Sequence, residues 1–111
     1  MENQKRVDER LPIYQKIDMM YHGIMIEPML EEIDLSKYDL SNIDLISVGG
    51  ESGLDARVID FDWVRNIHDL CREKGILFYF HQTGANIIVD GKLYKIPRNK
   101  QHSQARKAFK D

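Results

Sequence analysis

The sequence predicts an α/β protein whose parallel strands form part of a (β/α) TIM-like barrel. Three short apolar runs, at residues 24–26, 45–48 and 76–80, have the composition of buried strands, and amphipathic helical segments flank them. Continuous apolar strands need cover on both faces, which favours parallel strands packed against helices. We therefore expect about three parallel strands with flanking helices, followed by a C-terminal β-hairpin and a basic tail.

The N-terminal segment is predicted to form a helix over residues 2–20. Its apolar side chains recur on one helical face, at Val7, Leu11, Tyr14 and Ile17. Asn3 and Gln4 either cap the first turn or point into a site. Pro12 is expected to kink the helix or to divide it into two pieces.

The first two strands are separated by a long connection. The first strand begins at Gly23 and ends at Glu27-Pro28, because Pro28 has no amide hydrogen to donate to a neighbouring strand. Residues 29–43 are polar and rich in turn-forming residues, so we expect a loop with a short helical turn. The second strand, Leu45 to Val48, runs into the glycine-rich turn Gly49-Gly-Glu-Ser-Gly53. Because glycines let a backbone approach a bound group closely, this turn is the centre of the predicted site.

The helix that follows residue 60 has the clearest signals in the sequence. Asp60 or Asp62 can cap its N-terminus, and Lys74-Gly75 supplies a cation in the last turn and a glycine stop. Its apolar stripe consists of Trp63, Val64, Ile67, Leu70 and Cys71. The sequence has one cysteine, which excludes an internal disulfide and a cysteine-rich metal centre. We expect Cys71 to be a buried core residue rather than a nucleophile.

The third apolar run, residues 76–80, ends in His81-Gln82-Thr83-Gly84. Residues 87–96 are predicted to form a hairpin, because Asp90-Gly91 between two short apolar runs favours a tight turn. A short final helix is expected over residues 104–109.

The formal net charge of −2 conceals a strong asymmetry. Residues 1–91, which we assign to a half-barrel domain of βα repeats, hold 9 Lys and Arg against 17 Asp and Glu, a charge of −8. Residues 92–111, assigned to a basic extension packed on that domain or trailing from it, hold 7 against 1, a charge of +6. Such an extension can attract an anionic partner, pair with the acidic body or keep the terminus solvated. The candidates for nucleic-acid contacts are Lys92, Lys95, Arg98, Lys100, Arg106 and Lys107, with Tyr94 as a stacking platform.

Length and composition exclude several classes of protein. At 111 residues, with 42% hydrophobic and 31% charged residues, the chain is expected to be one soluble globular protein. It contains no run of about 18 apolar residues that would span a membrane. Its polar N-terminus lacks the apolar core of a signal peptide. We therefore expect a cytoplasmic protein that does not associate with membranes.

Polar residues at the ends of three parallel strands are expected to share one rim of the sheet. The candidate ligand-binding residues are Glu27, Gly49, Gly50, Glu51, Ser52, Arg57, His81 and Gln82. The glycine amides and Ser52 can meet a phosphate or carboxylate, and Arg57 can clamp an anion. His81 and Glu51 are the candidates for a catalytic acid and base. The same side chains can instead form a polar network that needs no ligand.

The histidines do not predict a metal site. No metal-ligand spacing exists among His22, His68, His81 and His102. His68 lies one position away from the apolar stripe of its helix, so we expect it to flank that stripe rather than bind a ligand.

Six short motifs occur in the same order as in a known family. They are Glu2-Asn-Gln4, Asp8-Glu-Arg10, Glu27-Pro28, Gly49-Gly-Glu-Ser-Gly53, Asp62-Trp-Val-Arg65 and Phe80-His-Gln-Thr-Gly84. Over nearly its whole length the chain thereby resembles the C-terminal half of the phage-associated three-Cys-motif proteins, a family of uncharacterised function. The resemblance implies a TIM-like barrel related to radical S-adenosylmethionine enzymes. It also implies a cysteine triad in the N-terminal half and a neighbouring gene for a three-Cys-motif partner protein.

The sequence departs from that family pattern at the cysteines. The cysteine-bearing N-terminal half has no counterpart here, and Cys71 alone cannot supply the three or four thiolates that an iron–sulfur cluster needs. We therefore expect no cofactor, and the radical chemistry does not carry over. His81 and Thr83 also stand where many relatives have lysine and tryptophan.

Three functions are compatible with these patterns. The first is a non-catalytic binding protein of phage or mobile-element type. It would dock on a protein partner or self-associate through exposed sheet edges, and inhibition of a host system is one role for such a protein. The second is a cluster-independent enzyme, or a domain that binds a small anion or nucleotide, at the strand rim. The third is a nucleic-acid binder that uses the basic tail.

Overall fold

The computed structural model describes residues 2–15 and 22–109 and contains three helices and six strands within them. The helices are α1 (Gln4–Gln15), α2 (Phe61–Lys74) and α3 (Gln101–Ala108), and a 3₁₀ turn covers Arg98–Lys100. The strands are β1 (Gly23–Ile26), β2 (Leu45–Gly49), β3 (Ile59–Asp60), β4 (Leu77–Gln82), β5 (Asn86–Val89) and β6 (Lys92–Lys95). The chain is therefore a mixed α/β protein. Among the described residues, no helix has the length and apolar character needed to cross a membrane.

The strands form two small sheets. The first sheet has the order β1-β2-β4 with every neighbouring pair parallel, as the apolar runs predict. The second sheet has the order β3-β5-β6, in which β3 and β5 are parallel and β5 and β6 are antiparallel. The two-residue strand β3 was not predicted, because so short a segment carries no periodicity of its own. Within the described residues the parallel strands form an open sheet and no closed barrel.

Helix α1 and the connection from β1 to β2 agree with the sequence in their main features. The side chain of Asn3 accepts a hydrogen bond from the Arg6 amide at 3.0 Å, which makes it the N-terminal cap. Pro12 lies inside one continuous helix, so the division into two pieces is wrong. Residues 16–20 of the predicted helix lie outside the described residues. Residues 29–43 contain hydrogen-bonded turns and no α-helix.

Helix α2 begins and ends at the predicted signals. The side chain of Asp60 accepts a hydrogen bond from the Asp62 amide, and Gly75 adopts the left-handed conformation with φ of 70°. The buried face of α2 includes Val64, Ile67 and Cys71. Burial raises the pKa of the Cys71 thiol to about 11, as expected for a core cysteine that is not a nucleophile.

Within the described residues, the two faces of the parallel sheet differ in the exposure of their apolar side chains. Side chains on one face lie in the hydrophobic core, at Ile24, Ile26, Ile46, Val48 and Phe80, each at most 4% exposed. Strand alternation and the register place Met25, Leu45, Ser47, Leu77 and Tyr79 on the opposite face, which we call the open face. Met25, Leu77 and Tyr79 are 61%, 69% and 45% exposed. The structure thus has an exposed apolar surface where a parallel sheet is ordinarily covered.

The C-terminal part contains the predicted hairpin and a longer helix than expected. Asp90 and Gly91 both have positive φ, 52° and 79°, which is the conformation of a type I′ turn. Helix α3 starts at Gln101 rather than at residue 104, and the buried Gln101 side chain donates a hydrogen bond to the Ile96 carbonyl. Strand β6 pairs with β5, and α3 packs against β4.

Candidate functional site

A carboxylate, an imidazole and an amide meet at the C-terminal end of the parallel sheet. His81 Nδ1 lies 2.9 Å from both carboxylate oxygens of Glu27, and Gln82 Nε2 donates to Glu27 Oε1 at 2.7 Å. The Glu27 side chain is 17% exposed and that of His81 is 38% exposed. We call these three residues the Glu27 cluster. The structure thus brings together three of the predicted site residues.

A β-bulge explains how two consecutive residues of β4 reach one carboxylate. Val48 pairs with Phe80, but Gly49 pairs with Gln82, so His81 is an extra residue in β4. A bulge redirects side chains that would otherwise alternate between the two faces. Here it allows both His81 and Gln82 to contact Glu27.

Gly49 lies beneath the Glu27 side chain. A Cβ atom at Gly49 would approach Glu27 Cδ to 2.7 Å and Cγ to 2.9 Å. The absence of a side chain at this position of the central strand therefore lets Glu27, which follows β1, reach across to β4. Gly49 thus leaves space for the carboxylate group of Glu27.

Glu51 belongs to a different pair, with Arg57. Glu51 Oε1 accepts from the Arg57 amide at 2.8 Å and from Nε at 3.0 Å, and Oε2 accepts from Nη2 at 2.7 Å. The hydrogen bonds from Arg57 hold the pKa of Glu51 at about 2, far below its usual value. Two guanidinium donors that an anion clamp would use are therefore engaged, and Glu51 is paired with Arg57 rather than with His81.

Replacing Glu51 with glutamine is expected to lower the free energy of unfolding by about 1 kcal/mol near neutral pH, because it weakens a partly solvated ion pair. The pKa of Glu51 is about 2 in the folded chain against a usual value of 4.5. Its stabilisation is therefore fully present above pH 4.5 and is lost as the pH falls through 2. Urea unfolding of wild type and variant should show the difference between their free energies of unfolding decreasing as the pH is lowered over this range. Glu73→Gln, on the exposed end of α2, is the control, and a difference independent of pH contradicts the assignment.

The glycine-rich turn packs tightly against the chain that follows β4. The Gly50 amide donates to the Gln82 carbonyl at 3.0 Å, and the Ala85 amide donates to the Glu51 carbonyl at 2.9 Å. A Cβ atom at Gly50 would lie 2.4 Å from the Thr83 carbonyl oxygen. The Gly50 amide predicted to meet an anion is therefore used to join β2 to the β4–β5 connection. Ser52 follows in the same turn and is partly exposed.

His102 joins this region although no sequence pattern indicated it. Its Nδ1 lies 3.0 Å from the His81 carbonyl oxygen, and the two imidazole centroids are 4.8 Å apart. The centroid of the Tyr79 ring lies 5.8 Å from that of His81. His81 and His102 are 21 positions apart and belong to β4 and α3, so only the packing of α3 on β4 brings them together.

The predicted nucleic-acid contacts are all exposed, at Lys92, Lys95, Arg98, Lys100, Arg106 and Lys107. They are distributed over β6, the 3₁₀ turn and α3. Lys107 and Tyr94 line a groove of about 390 Å³ between the hairpin and α3, whereas Arg98 lines a different one beside Leu54. Nucleic-acid binding stays a prediction.

Comparison with known proteins places the chain in a family. The model of the family described as Protein of unknown function (DUF5131) matches residues 1–108, so the chain belongs to that family. No curated protein and no solved structure shows a significant match to the chain.

Proposed function

We propose that this chain is a non-catalytic binding protein that docks on another protein surface through the open face of its parallel sheet. The observation that carries the proposal is the exposure of Met25, Leu77 and Tyr79 on the face opposite the hydrophobic core. Exposed apolar side chains gathered on one face of a folded protein mark interaction sites. The interface proposed here is the sheet face, in addition to the sheet edges that the sequence suggested.

The energetics favour docking of this surface. Fully burying a large apolar side chain is worth about 1.5–3 kcal/mol, so three such residues contribute several kcal/mol toward association. Ser47, between Met25 and Tyr79 on the central strand, is 7% exposed and adds little polar surface. The accessible surface of the open face is therefore supplied mainly by apolar side chains of the two outer strands.

The Glu27 cluster supports a defined orientation of the partner. Glu27 and His81 lie at the carboxyl end of the sheet, each two residues after an exposed side chain of the open face, Met25 and Tyr79 respectively. In a (β/α) barrel, the sheet face opposite the helices is the interior, and the carboxyl ends of the strands form the mouth. We infer that the open face corresponds to such an interior and that its partner supplies the layer that covers it. The relation to phage three-Cys-motif proteins and to radical S-adenosylmethionine barrels is part of this proposal.

The test is to place charges on the open face and measure association. Met25→Lys combined with Leu77→Lys should leave the thermal unfolding midpoint nearly unchanged, because both side chains are exposed. Leu54→Lys, at a fully exposed loop position outside the sheet, is the matched control. Light scattering over a wide range of concentrations measures self-association, and affinity capture from the native host measures partner binding.

We expect the wild-type chain to form an assembly, either with identical chains or with a partner. The double variant should lose this assembly and the Leu54→Lys control should retain it. It is overturned if wild type is monomeric throughout and the double variant captures the same proteins as wild type.

A further inference from the structure

We propose that His81 and His102 form a binding site for a transition-metal dication such as Zn²⁺ or Cu²⁺, with each imidazole binding the ion through Nε2. The site lies at the carboxyl end of the parallel sheet, where β4 meets the first turn of α3. It does not depend on docking of the open face.

The hydrogen bonds of His81 determine which of its nitrogens is available. Both oxygens of the Glu27 carboxylate lie 2.9 Å from Nδ1, and a carboxylate accepts hydrogen bonds, so Nδ1 carries a proton. In the neutral ring Nε2 then holds the lone pair. Histidines that bind metals characteristically donate their other N–H to a carboxylate, which orients the ring and raises the basicity of the ligating nitrogen.

His102 has the same arrangement with a different acceptor. Its Nδ1 lies 3.0 Å from the His81 carbonyl oxygen, which can only accept, so this Nδ1 also carries a proton. A backbone carbonyl is the other common acceptor for metal-binding histidines. Both rings therefore have Nδ1 engaged and Nε2 as the basic nitrogen, and both side chains have access to solvent.

The separation of the rings fits a shared ion. Two imidazoles that bind one ion through nitrogen at about 2.1 Å, with an angle at the metal of about 90–110°, place their ring centroids roughly 5 Å apart. The observed separation is 4.8 Å, with the ring planes at 67° to each other. The negative charge of Glu27 next to His81 further favours a cation.

The ligand set defines the kind of site. Among the described residues no group of three or more His, Cys, Asp or Glu side chains is arranged around one ion, so the protein supplies two imidazoles and water completes the coordination. Imidazole suits Zn²⁺ and Cu²⁺, and Cu²⁺ is expected to bind more tightly than Zn²⁺. The open coordination positions remain accessible to an exogenous ligand.

The experiment is calorimetric titration of the chain, without a polyhistidine tag, with Zn²⁺ and with Cu²⁺. We expect one equivalent of each ion to bind. His81→Gln and His102→Gln should each reduce affinity at least about tenfold, and Glu27→Gln should reduce it about 10–100-fold through His81. His68→Gln, whose ring contacts Asp69 and packs on Phe109, is the control and should retain the affinity of wild type.

Circular dichroism confirms that each variant is folded, and electron paramagnetic resonance of the Cu²⁺ complex counts the bound nitrogens. Two nitrogens in wild type and one in each single variant support the site. Absence of saturable binding, or equal affinity of wild type and the His102→Gln variant, overturns it.

Discussion

Replacing Phe80 with alanine is expected to lower the free energy of unfolding by about 3–5 kcal/mol, because it removes a large buried side chain and leaves a cavity. Phe80 is 4% exposed, and its ring centroid lies 6.2 Å from those of both Phe61 and Phe109. It thus joins β4, α2 and the end of α3 in one core. Urea unfolding followed by the fluorescence of Trp63 measures the change.

Tyr79→Ala is the matched control for Phe80→Ala, since it changes the neighbouring residue of the same strand. Tyr79 lies on the open face and is 45% exposed, so its loss should cost less than about 1 kcal/mol. A large difference between the two variants supports a sheet with one core face and one exposed face. Equal costs would contradict that sidedness and, with it, the docking surface proposed for this protein.

Gly50→Ala is expected to cost about 3 kcal/mol or more, because the added methyl group meets rigid backbone. The new Cβ would lie 2.4 Å from the Thr83 oxygen and 2.8 Å from the Gly84 nitrogen. Relief requires β2 to separate from the β4–β5 connection, which disrupts the hydrogen bond from the Gly50 amide to Gln82. The same urea titration measures this loss.

Gly49→Ala, one residue earlier, is expected to change the geometry of the Glu27 cluster with only a small loss of stability. Its Cβ would meet the Glu27 side chain at 2.7 Å, and a flexible side chain can move away at a cost of about 1 kcal/mol. That movement should break the contact between Glu27 and His81, which the imidazole resonances in an NMR spectrum report. If Gly50→Ala is no more destabilising than Gly49→Ala, the close packing of the turn against residues 83–84 is wrong.

Local sequence patterns were sufficient for most of the secondary structure. Helix α2 was predictable because its cap at Asp60, its apolar stripe and its stop at Gly75 are all encoded within the consecutive positions 60–75. The hairpin was predictable because Asp90-Gly91 suits the positive φ of its turn. The parallel arrangement of β1, β2 and β4 followed from apolar runs that have no alternation.

The pairing of the candidate site residues was not predictable in the same way. The sequence indicated that Glu27, Glu51, Arg57 and His81 lie near the strand ends, but not which carboxylate meets which cation or imidazole. The bulge at His81 directs that ring to Glu27, and the turn after Gly50 returns Arg57 to Glu51. These pairings depend on strand register and turn geometry, which the secondary-structure propensities of single residues do not encode.

The sequence by itself determined the α/β class, the core helix α2 and the set of polar residues at the strand ends, because each depends on neighbours along the chain. Only the tertiary structure decided that the parallel sheet has an open face and that His102 lies beside His81. Alternation along a strand indicates two faces, but which face the helices cover depends on how the connections pass over the sheet. Likewise, two histidines 21 positions apart meet only because α3 packs on β4.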